Sequence, residues 1–116
     1  IPYANHEDYV HFGKVFGCSS YVGREGGRQK ISIGAGCAYK GVVIHEMMHA
    51  IGFYHEQARP DRDDYIKILW DNVLESEKIN FLKLSVKKIA TLNTDYDYGS
   101  VMHYGRKYFS KYVLLP

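Results

Sequence analysis

The chain has 116 residues, 46% of them hydrophobic and 24% charged, with a net charge of +2. That balance belongs to a folded domain with one modest core and excludes a disordered chain. So small a charge gives no pull toward nucleic acid or a membrane surface, and no apolar run reaches the roughly 20 residues of a membrane-spanning helix.

In chain order, residues 8–15 alternate loosely between apolar and polar types and read as a strand. Residues 17–27 read as a strand edge followed by a turn at Gly23-Arg24-Glu25-Gly26-Gly27. A second short strand is expected over Gln29–Ile33, with Ile31 and Ile33 on one face, ended by Gly34-Ala35-Gly36. From Lys40 to Ile51 the pattern is helical, with Val43, Met47 and Ala50 on the apolar side. After a charged loop, Arg59-Pro60-Asp61-Arg62-Asp63-Asp64, residues 65–70 alternate as a strand would. Asp71 or Asn72 then caps an expected helix through Leu74, Phe81 and Leu82, and residues 91–97 form a polar loop. No repeat or linker divides the chain, so a single domain over residues 1–116 is expected. The opening Ile1-Pro2-Tyr3-Ala4-Asn5-His6 has no basic-then-apolar pattern, and no signal peptide is expected in it. Cys18 and Cys37 are not a C-x-x-C pair. They leave two uses open: two buried thiols, or a bridge closing a loop of about 20 residues, worth about 3 kcal/mol.

The expected helix carries His45-Glu46-Met47-Met48-His49-Ala50-Ile51-Gly52-Phe53-Tyr54-His55, which fits H-E-x-x-H-x-x-G-x-x-H. Residues four apart share a helix face, so His45 and His49 can point at a common ion. Glu46 stands one position round the helix, where a general base for metal-activated water belongs. Gly52 lets the backbone leave the helix in a conformation other residues resist, and the chain can turn back to deliver His55 as a third ligand. Three protein ligands leave a fourth tetrahedral position open, the mark of a catalytic rather than a structural zinc. One Zn2+ per chain is expected.

Beyond His55 the sequence runs Glu56-Gln57-Ala58-Arg59-Pro60-Asp61-Arg62-Asp63, and later Tyr96-Asp97-Tyr98-Gly99-Ser100-Val101-Met102-His103-Tyr104. These stretches resemble the H-E-x-x-H-x-x-G-F-x-H-E-x-x-R-x-D-R-D and S-x-M-H-Y motifs of the astacin-type metzincins, which are zinc endopeptidases. The resemblance runs from about Asp8 to Tyr104. It implies an α+β fold of the metzincin-like zincin kind: a small twisted sheet, the active-site helix, then a methionine turn. It implies that His45, His49 and His55 bind zinc, that Glu46 is the general base and later the acid, and that Met102 lies under the ligands in a tight turn. Tyr104 would be an additional, movable zinc ligand and a donor to the oxyanion. Cys18, Ser19, Ser20 and Tyr21 would form the edge strand that pairs with an extended protein or peptide substrate, and Cys18 and Cys37 match a bridged pair. Secretion is implied as well.

The family's catalytic domains are longer, so the chain is expected to be a partial one. Residues 111–116 do not continue the pattern, and the family's second disulfide joins regions that lie outside this sequence. Glu56, which in the family meets the freed N-terminus of the mature enzyme, is expected here to be a surface or loop carboxylate. The expected activity is hydrolysis of protein peptide bonds by zinc-activated water with Glu46 as base. The alternative is a truncated zinc-binding, peptide-binding module with little or no turnover; a different zinc hydrolase with a carboxylate third ligand is disfavoured by His55.

Overall fold

The computed structural model describes residues 4–112, in two units that divide between Tyr54 and His55. The opening Ile1-Pro2-Tyr3, read above for a leader pattern, and the closing residues 113–116 lie outside the described residues. No helix among those described is long and apolar enough to cross a membrane.

In the first unit the expected strands form, slightly trimmed: β1 (Tyr9–Gly13), β2 (Cys18–Ser20) and β3 (Arg28–Ile33). The sheet order is β1-β3-β2. β1 runs parallel to β3, with Tyr9 opposite Arg28, and β2 runs antiparallel, with Cys18 opposite Ile33. Central β3 therefore holds the core, where Ile31 is 1% exposed. β2 is an edge strand, and Tyr21 lies just past its end. Gly34 follows β3 because nothing larger fits: a Cβ there would lie 2.2 Å from the Val15 carbonyl oxygen. The Gly34 N–H instead donates to the Gly17 carbonyl at 3.0 Å. The glycine-rich turn after β2 is closed by Asp8, whose carboxylate accepts from the Gly27 N–H and from Arg24. Cys18 and Cys37 are bridged, which ties β2 to the loop entering the helix.

That helix, α1 (Lys40–Ala50), packs on β2 and β3. Its orientation corrects the pattern reading. Glu46 and His49 are its buried residues, whereas Met47, expected on the apolar side, is exposed. The Gly23 N–H donates to the His49 carbonyl at 2.8 Å, which ties the turn after β2 to the end of the helix.

The second unit is built from 3-10 turns at Glu56–Ala58, Arg62–Asp64, Trp70–Asn72 and Glu75–Phe81. The strand expected over residues 65–70 does not form. Burial does alternate at Ile66 and Ile68, but alternation reports which side is covered, and among the described residues no neighbouring strand supplies a ladder. The helix expected from residue 71 or 72 forms only in part, as the 3-10 stretch Glu75–Phe81. Val73, ahead of it, bridges to Ser110, and of the expected apolar face only Phe81 is buried, edge-on to the rings of Trp70, Tyr104 and Phe109.

Local turns and a few long-range main-chain bonds, such as Leu84 N–H to the Ala58 carbonyl, pair part of this unit's main chain, and buried side chains add to them. Arg62, 4% exposed, donates to the carbonyls of Gln57 and Phe81 at 2.9 and 2.6 Å. Arg59 donates to the carbonyls of Thr94 and Asp95 and is itself held by Asp61 and Glu56. The polar loop over residues 91–97 is thereby pinned rather than merely solvated.

Candidate metal centre

The ligand stripe begins on α1 and ends just beyond it. After Ala50 the helix closes with Ile51 N–H on the Met47 carbonyl and Gly52 N–H on the His49 carbonyl. Gly52 has φ +109°, the left-handed region that glycine reaches without strain. The chain then turns, and His55 opens the 3-10 turn Glu56–Ala58. One nitrogen from each of His45, His49 and His55 lies within 4.8 Å of the others, close enough for a single ion to be shared.

The donor set passes a chemical test for zinc. Three neutral imidazoles with an open position are a standard catalytic zinc shell. His49 Nδ1 is 2.8 Å from the Phe53 carbonyl oxygen, which can only accept, so Nδ1 carries the proton and Nε2 keeps its lone pair for a metal. Burial lowers the His49 pKa, against the opposing hydrogen bond to Phe53, and keeps the ring in the neutral form a ligand requires. Glu46 is 6% exposed, and burial raises its carboxyl above the usual carboxylate value while His45 pulls the other way. A carboxylate made more basic by burial accepts a proton more readily.

In the second unit, residues 97–103 form a tight turn. Ser100 N–H donates to the Asp97 carbonyl, His103 N–H to the Ser100 carbonyl, and Met102 N–H to the Ser100 hydroxyl. Met102 is 2% exposed, and its carbonyl accepts from Glu56 N–H at 3.0 Å, so it lies against the turn that starts with His55. Tyr104 follows, its ring centroid 4.5 Å from that of His55. Burial, and then Glu77, raises the Tyr104 pKa, so the phenol keeps its proton at neutral pH.

Glu56 opens the 3-10 turn Glu56–Ala58, and its Oε1 accepts from Asp97 N–H at 2.9 Å and from Arg59 at 3.1 Å. Sequence reasoning missed Gln57, Arg59 and Arg62 as organisers of this unit. The signal available was three long polar side chains shortly after a metal ligand.

A zinc-binding helix, an exit glycine, a third histidine and a methionine turn in this order define a metzincin-type scaffold. The model of the Astacin peptidase family matches residues 2–116, and the chain belongs to that family. It is 55% identical over 104 residues to zinc metalloproteinase nas-13 of Caenorhabditis elegans, covering 90% of this chain and 23% of that protein. Blastula protease 10 of Paracentrotus lividus is 51% identical over 106 residues, covering 90% of this chain and 18% of its own length. Among solved structures, high choriolytic enzyme 1, a hatching enzyme zinc-protease from the medaka Oryzias latipes, matches with a TM-score of 0.90 and 44% identity. That match covers 97% of this chain and 55% of the other. The chain thus spans about a fifth of the length of these two curated relatives and about half of the solved one.

Proposed function

We propose that the chain is a single, partial catalytic domain of a zinc-dependent endopeptidase that hydrolyses peptide bonds of proteins, with Glu46 as general base. The observation that carries this reading is the convergence of the His45, His49 and His55 nitrogens beside a buried Glu46 of raised pKa. When bound there, zinc supplies Lewis acidity, which polarises a carbonyl oxygen and makes water a stronger acid. Glu46 accepts the proton of the attacking water and returns it to the leaving amine. Tyr104, protonated at neutral pH, donates its phenol hydrogen to the developing oxyanion. Met102 supports the turn from beneath. The free edge of β2, at Cys18, Ser19 and Ser20 and running on to Tyr21, offers main-chain groups to an extended peptide and gives affinity with little sequence preference. Within the second unit, a cavity of about 850 Å³ lined in part by Ile68, Phe81, Tyr98 and Tyr104 gives a substrate side chain room beside Tyr104. A Cys18–Cys37 disulfide suits an oxidising compartment, and the proposed location is extracellular.

The test is Glu46→Gln in the zinc-loaded protein, with turnover of a denatured protein and zinc content measured together. The substitution keeps shape and removes the base. Turnover should fall by at least about 100-fold with zinc still bound. Near-full turnover would remove Glu46 from the mechanism. Zinc binding without turnover in the unsubstituted full-length protein would favour the peptide-binding module.

A further inference from the structure

We propose that Gln57 is the positioning residue for Tyr104, acting from the same turn that delivers His55. The inference rests on the reading of Tyr104 as oxyanion donor. Tyr104 lies in no helix or strand, so no ladder fixes its main chain. Two side chains hold it instead. Its N–H donates to Gln57 Oε1 at 3.1 Å, and its carbonyl accepts from His103 Nδ1 at 2.8 Å. An N–H needs an acceptor and a carbonyl needs a donor, so the Gln57 amide is oriented oxygen-first and His103 carries its proton on Nδ1. His103 Nε2 is then the acceptor for the Tyr96 hydroxyl at 2.7 Å. Buried Tyr96 stacks on Tyr65 and fixes that partner in turn.

Gln57 is 1% exposed, and its Nε2 has no hydrogen-bond partner among the described residues. Half of this buried amide is left unsatisfied at Nε2 while the other half, Oε1, serves the Tyr104 N–H. A residue that breaks a local rule of packing is expected where function uses it, and the atom in use here is the oxygen. The turn Glu56–Ala58 grips residues 97–104 at three points: Glu56 N–H on the Met102 carbonyl, Asp97 N–H on Glu56 Oε1, and Tyr104 N–H on Gln57 Oε1. Gln57 is the grip that reaches Tyr104 itself. The phenol oxygen stands at the far end of the ring, so a small main-chain rotation is magnified there. Misplacement near 1 Å costs on the order of 100-fold in rate.

The experiment uses the zinc-loaded full-length protein and Gln57→Met, alone and with Tyr104→Phe. Gln57→Met should lower kcat by about 10-fold or more, leave KM within about 2-fold, keep zinc content unchanged, and speed hydrogen exchange at the Tyr104 amide. In the Tyr104→Phe background it should lower kcat no further, because a residue acting through the phenol has nothing left to position. An equal fold-loss in both backgrounds would overturn the proposal, as would an unchanged kcat or an unchanged Tyr104 amide. Gln57→Glu is the second variant. It keeps an acceptor oxygen, so kcat should recover toward the unsubstituted value; a loss that persists with Tyr104→Phe counts against the proposal. If Tyr104→Phe by itself leaves kcat unchanged, the oxyanion reading falls, and amide exchange in Gln57→Met still decides whether Gln57 holds Tyr104.

Discussion

The two units solve the same problem in opposite ways. Up to Tyr54, the main chain pairs with itself through a three-stranded sheet and an eleven-residue helix, and one disulfide closes the arrangement. Among the described residues from His55 onward the regular structure is four 3-10 stretches and one isolated bridge, and four main-chain carbonyls are met by guanidinium groups reaching in from Arg59 and Arg62. A ladder spreads stability over many equivalent bonds. A side-chain scaffold concentrates it in a few residues, so the second unit should be far more sensitive to single substitutions. It is also the unit that holds the methionine turn and Tyr104.

The largest expected effect follows from that concentration. Arg62→Leu leaves two buried carbonyls without donors, at about 1–3 kcal/mol each, so a loss of about 4 kcal/mol is expected. Hydrogen exchange should show it within residues 55–112, with β1 and β3 little changed. A loss spread evenly over both units would break the distinction drawn here.

Removing the disulfide, as Cys18→Ala with Cys37→Ala, should cost about 3 kcal/mol, read from denaturant unfolding and from faster exchange in β2. If the paired variant unfolded at the same denaturant concentration as the parent, the sheet ladder alone would hold the first unit.

The smallest effect is electrostatic. The hydrogen bond from Arg59, aided by its charge, holds the Asp61 carboxyl below the usual value. Its contribution is therefore complete above the unfolded value of about 3.9 and is lost as pH falls through the lowered folded value. The pair is partly solvated, so less than about 1 kcal/mol is at stake. Acid titration below about pH 4 should loosen residues 94–97 first, and Asp61→Asn should abolish that pH dependence. A loop whose exchange ignores both would detach Asp61 from the Arg59 scaffold.

The contrast between the units also explains what could be read from the residues. The strands, the helix and the metal ligands of the first unit come from short periods: two along β1 and β3, four between His45 and His49. Periodicity is a property of local sequence, and it survives folding wherever regular structure forms. Gly52 was legible for the same reason, since its positive φ is a local demand. The second unit defeated the same reading. Residues 65–70 alternate without a partner strand among the described residues, and the helical spacing over residues 74–82 yields only the 3-10 stretch Glu75–Phe81. The proposed zinc ligand set, the proposed base Glu46 and the family were therefore legible in the sequence alone, because motif spacing encodes them directly. Which face of α1 is buried, where Arg59 and Arg62 send their guanidinium groups, and how Gln57 and His103 hold Tyr104 were decided only by tertiary structure. Each of those contacts joins residues distant in sequence, or depends on which main-chain groups the fold leaves unpaired, and no local pattern records that.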